Sequence, residues 1–216
     1  MAIIALLGGT GRSGLPFIQQ ALDRGHTVKA LVRTPSKATL QHPNLTWVSG
    51  DATRYADIES LVVGTDAVVS LIGQVKGAPD NLQSQATEYI LKAMRKHRVE
   101  RLISLTGGGV RDPEHDQPGF MDKVIVFIMK NLAGKLAKHA LLDGIAHREV
   151  LTAADDIQWT IVRGPMLTED DAKGSYQVGH VGTVKGIKLT RQDLATFMLD
   201  ELEQGKYIHE MPFVVN

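Results

Sequence analysis

Residues 3–24 leave this chain little conformational choice. Ile3-Ile4-Ala5-Leu6-Leu7 is a continuous apolar run of strand length, and Gly8-Gly9-Thr10-Gly11-Arg12-Ser13-Gly14 follows without a spacer. From about Arg12 to Arg24 the apolar residues Leu15, Ile18 and Leu22 then recur at helical period, until Gly25 stops the helix. Pro16 falls in or near the first helical turn, where a missing N–H is tolerated. Each glycine has a use: Gly8 permits a tight turn, Gly11 lets backbone approach a bound group, and Gly14 lets the helix pack close to the strand. A helix N-terminus presents N–H groups and a partial positive charge, which suits a pyrophosphate. Gly8, Thr10, Gly11, Arg12, Ser13 and Gly14 are therefore expected to hold the phosphates of a dinucleotide. The spacing is G-x-x-G-x-x-G rather than the commoner G-x-G-x-x-G, so the flanking strand and helix give the motif its weight.

The alternation continues. Strands are predicted at Thr27–Val32, Leu45–Val48, Ala67–Ile72, Arg101–Leu105, Gln158–Val162 and Met211–Val215. Helices are predicted at Asp57–Val63, Leu82–His97, over much of 120–153, and at Leu194–Leu202, the last with Thr190 and Asp193 as an N-terminal capping pair. Apolar strands alternating with helices imply an α/β, Rossmann-type doubly wound parallel sheet. With no repeat or linker, residues 1–216 read as a single domain with a small C-terminal substrate-side portion.

Charge at the end of the second strand selects the dinucleotide. An NAD site places an acid there for the ribose hydroxyls. This chain has Val32-Arg33-Thr34-Pro35-Ser36-Lys37, and Arg12 can converge on the same corner. Guanidiniums form charge-assisted, often bidentate bonds with a 2′-phosphate, so NADP(H) is expected in preference to NAD(H).

Composition removes other chemistries. No cysteine is present, which excludes disulfides, thiolate metal sites and thiol nucleophiles. Twenty-four basic against 24 acidic residues, with 5% aromatics, argue against a nucleic-acid partner. The longest later apolar run, Val124–Met129, is far too short to span a membrane, and Met1–Leu7 lacks a basic leader. A cytoplasmic protein, monomer or homodimer, is the expectation. The eight histidines show no metal-binding spacing, so no metal is expected.

The glycine turn, Leu31-Val32-Arg33, Gly50-Asp51-Ala52, Ser104-Leu105-Thr106-Gly107 and Trp159-Thr160-Ile161-Val162-Arg163-Gly164-Pro165 resemble the atypical short-chain dehydrogenase/reductases. The chain is similar, more narrowly, to their NADPH-dependent flavin reductase/biliverdin-IXβ reductase branch. Gly174-Ser175-Tyr176 and the 189–199 segment support this, whereas 112–142 is longer than in the mammalian-type enzymes. The resemblance implies that Asp51 and Ala52 sit by the adenine, and that Leu71, Ile72 and Gly73 line the ribose–phosphate path. It also implies that Thr106 closes on the nicotinamide ribose and that Pro165 and Met166 flank the nicotinamide.

The chain departs from that pattern. Tyr-x-x-x-Lys is absent: Tyr55, Tyr89, Tyr176 and Tyr207 are followed four positions on by Glu59, Ala93, His180 and Met211. The branch's serine after Thr106 is Gly107, and its later histidines align with Asp143 and Met166. Alcohol–ketone chemistry and biliverdin reduction need a proton donor that these changes remove. Hydride transfer to a flavin (FMN or FAD), a quinone or a similar small planar acceptor needs mainly position and exclusion of water. Thr106 and His147 are the catalytic candidates, His147 being otherwise a surface helix residue. A redox sensor that binds NADP(H) without turnover is the alternative, and epimerase-like chemistry is disfavoured by the absent Tyr/Lys pair. Gly73–Asp80 and Gly107–Gly119 read as lids, Glu169-Asp170-Asp171 as a solvated acidic turn, and Val124–Met129 as a core or pocket-wall helix or a dimer face.

Overall fold

The computed structural model describes residues 1–75 and 77–216. Its strands are Ile3–Leu7 (β1), Thr27–Val32 (β2), Leu45–Ser49 (β3), Ala67–Ser70 (β4), Arg101–Gly107 (β5), Gln158–Gly164 (β6), Met166–Thr168 (β7), Gln177–Gly179 (β8), Lys188–Thr190 (β9) and Phe213–Val215 (β10). The helices are Gly14–Asp23 (α1), Tyr55–Val62 (α2), Leu82–His97 (α3), Phe120–Asn131 (α4), Gly134–Thr152 (α5) and Arg191–Gln204 (α6). One sheet runs β3-β2-β1-β4-β5-β6-β10-β8, parallel throughout except for the antiparallel β8 edge. Strands β7 and β9 form a separate parallel ribbon. This is the doubly wound Rossmann-like order, and its direction of winding reverses between β1 and β4, where such sheets bind ligands.

The two faces of each strand feed two cores. Ile4 and Leu6 of β1 join Phe17, Ile18, Phe197 and Met198 beneath α1 and α6. Ala5 and Leu7 point the other way, into a core shared with α2, α3 and α5. Strands buried on both sides are apolar at every position, which is why they read as continuous runs.

The helix termini explain where the expected boundaries shifted. Helix α1 starts at Gly14, two residues late, and buries Phe17 and Ala21 while Leu15 stays exposed. Strand β4 ends at Ser70, so Leu71–Gly73 is loop rather than strand. Thr190 caps α6 as expected, its Oγ1 accepting from the Asp193 amide at 3.0 Å.

The 120–153 segment folds as two contacting helices, α4 and α5, and the choice between core and pocket wall is decided by burial. Helix α4 buries no residue fully: Phe120, Met121, Ile125, Phe127 and Ile128 are all exposed. Only Val126 and Met129 pack, partly buried, against the core, so this is a wall and not a core helix. The 107–119 segment is also fastened rather than free. Asp116 accepts from Arg163 Nη1 (2.6 Å) and Nη2 (2.9 Å), and both side chains are almost wholly buried. Among the described residues no helix is long and apolar enough to cross a membrane.

Candidate active site

At the β1–α1 turn, Gly8 adopts φ +85, a region side chains disfavour. A Cβ there would lie 2.9 Å from the carbonyl carbon and oxygen of Leu71. A Cβ on Gly14 would meet the Gly8 oxygen at 2.2 Å. The Gly11 amide donates to Gly8 O at 2.9 Å, and the Gly14 amide to Gly11 O at 3.0 Å. Among the described residues, the amides of Arg12 and Ser13 have no protein acceptor, at the head of a helix. An uncapped helix N-terminus beside a backbone that no side chain crowds is a cradle for phosphate oxygens, and the dinucleotide's pyrophosphate fits it.

From this turn a cavity of about 230 Å³ extends over β2 and β3, lined by Gly8, Thr10, Gly11, Arg33, Lys37, Asp51 and Ala52, with Leu71–Gly73 across it. Asp51 has a local duty as well: its Oδ1 accepts from the Thr53 amide and hydroxyl, both at 2.9 Å. Burial works to raise its pKa, but those hydrogen bonds and the Arg33 and Arg54 charges outweigh burial and hold it below the usual carboxylate range. Asp51 is thus an anion whose charge Arg33 already offsets.

Two residues of the turn lie elsewhere than expected. Arg12 does not line this cavity; its guanidinium is drawn to the exposed Glu169 carboxylate at 3.4 Å. The acidic turn after β7 is therefore partnered. Ser13 is buried, and its hydroxyl accepts from Arg191 Nη1 at 2.7 Å, which turns the side chain toward α6 and leaves its amide unpaired at the turn.

Leu71, Ile72 and Gly73 also border a second cavity of about 190 Å³, which holds Thr106, Gln83, Met129, Leu141 and Pro165. A third, of about 370 Å³, shares Gly107, Met129 and Pro165 with it and adds Met166, Ile125, Arg111 and Phe213. Three adjoining cavities thus form one cleft along the carboxyl ends of β2, β1, β4, β5 and β6. Its first end is cationic and its far end is walled mainly by apolar side chains. Thr106, 6% exposed, faces the middle.

His147 is neither on the surface nor in this cleft. It is fully buried beneath β5, with Nδ1 2.8 Å from Thr87 Oγ1 and Nε2 2.8 Å from Ser104 Oγ. Thr87 gives its proton to the Gln83 carbonyl (2.7 Å), so Nδ1 carries the ring proton and Nε2 accepts from Ser104. Desolvation pushes its pKa down to about 3, so the ring stays neutral and braces α3, α5 and β5. Asp143 is structural too: it accepts from the amides of Gln83 (2.7 Å) and Ser84 (2.9 Å) at the start of α3.

The structure adds residues that the sequence did not single out. Gln83, 4% exposed, ties its Nε2 to Leu105 O at 2.7 Å on the wall of the middle cavity. Gln74 lines the same cavity, and its buried Oε1 has no partner among the described residues, a polar atom available to a ligand. No local motif marks either glutamine; only the fold brings them to Thr106.

Comparisons with known proteins agree with this architecture. A family model described as NAD(P)H-binding matches residues 8–205, and the chain belongs to that family. It is 25% identical to the protein YwnB of Bacillus subtilis over 99% of this chain and 98% of the relative. It is 26% identical to the photosystem II assembly factor Ycf39 of a Synechocystis strain, over 65% of this chain and 42% of that protein. Among solved structures it resembles a wide-type short-chain dehydrogenase/reductase of Veillonella parvula in complex with NADP. That likeness has a TM-score of 0.78 and 17% identity, covering 100% of this chain and 95% of the other. A candidate NADH-flavin reductase of Streptococcus pneumoniae is similar over 100% of both chains, with a TM-score of 0.79 and 18% identity. At such identities these structures share the fold.

Proposed function

We propose that this protein is an NADPH-dependent reductase that passes a hydride to a flavin, a quinone or a similar planar acceptor. The observation that carries the reading is the graded cleft, cationic where a 2′-phosphate would lie and apolar beyond Thr106 and Pro165. Arg33 and Lys37 recognise the phosphate at the end of β2, where no acid stands to select NAD(H). Arg12 is within the same turn, and its exposed pair with Glu169 is worth at most about 1 kcal/mol, so a phosphate can compete for it. The Arg12 and Ser13 amides hold the pyrophosphate.

The bound dinucleotide supplies the hydride. The protein's residues supply position: Leu71–Gly73 form the floor, Thr106 and Gln74 offer hydrogen bonds at the ribose and carboxamide, and Pro165 and Met166 set the ring plane. Met129, Leu141, Ile125 and Phe213 exclude water from the acceptor end. His147 is locked neutral below the sheet, and Asp122, the carboxylate among the described residues that line the acceptor end, accepts from the Gly119 amide at 2.9 Å. The proton that accompanies reduction is therefore taken from solvent after the hydride has passed, where the acceptor's edge meets the cleft mouth. That suits flavins and quinones, whose reduced nitrogens or oxygens can take protons from water, and not an isolated ketone.

The test is to follow NADPH and then NADH absorbance with purified protein, with and without FMN or a 1,4-quinone. Acceptor-dependent NADPH oxidation supports the reading. Tight NADPH binding with no oxidation by any of these acceptors would overturn it in favour of a redox sensor.

A further inference from the structure

Away from the cleft's lining, Asp112, His115 and His180 bring one carboxylate and two imidazoles together, with one potential ligand atom from each within 4.8 Å of the others. Sequence spacing could not show this, because His180 lies 65 positions beyond His115 on the loop after β8. Asp112 is 6% exposed. Its Oδ1 accepts from the Glu114 amide at 3.1 Å, while Oδ2 faces His115 Nδ1 at 3.0 Å and His180 Nδ1 at 4.0 Å. The imidazoles stack, 5.0 Å between centroids and 20° between planes, with both Nδ1 atoms toward that one oxygen.

The second observation is independent of the clustering. His180 Nδ1 is buried and has no hydrogen-bond partner among the described residues. Protonated, it stops short of the carboxylate; unprotonated, its lone pair faces an anion. Either way a buried polar atom is left unsatisfied, at a cost of about 1–3 kcal/mol. The surrounding backbone holds this arrangement: Gln117 N–H donates to Val181 O (2.8 Å) and Val181 N–H to Asp116 Oδ1 (3.0 Å).

We propose that Asp112, His115 and His180 form a binding site for a divalent first-row transition metal of the zinc type. Bonds of about 2.0–2.2 Å to zinc separate neighbouring ligand atoms by roughly 3–3.5 Å, so the 3.0 Å pair already fits and His180 needs only a small inward shift. Two imidazoles with one carboxylate select zinc, cobalt or nickel over magnesium and calcium, which take oxygen ligands. Water completes the shell on the side where His115 is half exposed. The ion pins the 108–117 segment to the 179–184 loop. Arg111 and Val181, next in sequence to two of the ligands, line the acceptor-end cavity, so the site stiffens that wall and takes no part in hydride transfer.

Untagged, chelator-treated protein should bind one Zn²⁺ per chain, with melting raised by about 5 °C at saturating Zn²⁺ and unchanged by Mg²⁺. Co²⁺ should give visible d–d bands that Zn²⁺ displaces. His115→Ala and His180→Ala, on different segments, should each weaken Zn²⁺ binding at least tenfold while keeping wild-type melting without metal. His42→Ala, at an exposed position distant in sequence, should bind as the wild type does. No Co²⁺ bands in the wild type, or Zn²⁺ affinity unaltered by His180→Ala, would overturn the proposal. None of these readouts depends on turnover, so a failed reductase assay leaves the result intact.

Discussion

The two ends of the cleft are built in different ways. The nucleotide end is mostly backbone: Gly8 at positive φ, Gly14 against the Gly8 carbonyl, and free amides at the head of α1, all within seven consecutive residues. From the middle to the acceptor end the lining is mostly side chains from distant segments, with Gln83, Thr106, Met129, Pro165 and Phe213 converging from five elements or loops. A backbone site tolerates no added atoms but needs little support. A side-chain site depends on whatever fastens its segments, here the buried Asp116–Arg163 pair that anchors 107–119 to β6.

The sharpest way to break this contrast is Asp116→Ala. It leaves the Arg163 guanidinium buried without its partner and should cost about 3–5 kcal/mol, read by denaturant unfolding. NADPH affinity should change less than threefold if the two ends are independent. The Arg163 hydrogen bonds and charge outweigh burial and hold the Asp116 pKa below the usual carboxylate value. The stability it contributes is therefore fully present above the unfolded value of about 3.9, and is lost as pH falls through the lower folded value. Melting curves of wild type and variant should converge below that point.

Gly14→Ala attacks the other end. Its Cβ would sit 2.2 Å from the Gly8 oxygen, so α1 must shift, at about 1–3 kcal/mol, and NADPH binding should fall at least tenfold by fluorescence titration. An unchanged affinity would show that the cradle is not the phosphate site.

His147 separates bracing from catalysis. Its folded pKa of about 3 lies below the unfolded value of about 6.5, so the unfolded chain takes up a proton first as pH falls. Its contribution is complete above about pH 6.5 and declines toward pH 3, with roughly 2 kcal/mol lost between pH 7 and 5. His147→Asn should flatten that part of the stability–pH curve, and kcat should show no ionisation assignable to this ring.

Smallest in stability terms, Arg33→Asp should leave melting almost unchanged yet weaken NADPH at least tenfold, about 1.4 kcal/mol, with NADH altered much less. Equal losses for both dinucleotides would undo the 2′-phosphate assignment.

The same contrast governs what could be read before folding. The glycine turn, β1, β2 and the Thr190 cap are local, and their geometry follows from residues a few positions apart. His147 reads as a surface residue because α5 has no strong apolar stripe to mark its buried side; its neutrality comes from burial beneath β5, and its tautomer from Thr87 and Ser104, 60 and 43 positions away. Arg12 was expected at the phosphate corner, but a charge in a turn goes to the nearest opposite charge, and Glu169 is near only in three dimensions. The Val124–Met129 run reads as core, pocket wall or dimer face alike, because apolarity alone does not show which other element covers it.

By itself, then, the sequence determined the α/β alternation of a parallel sheet, the glycine turn and the basic end of β2, because strand period, helix period and glycine stereochemistry act within a few residues. Tertiary structure alone decided which side chains face the far end of the cleft, which histidine is sealed neutral, and that Asp112, His115 and His180 meet. Those outcomes depend on distances and burial between segments that are far apart along the chain.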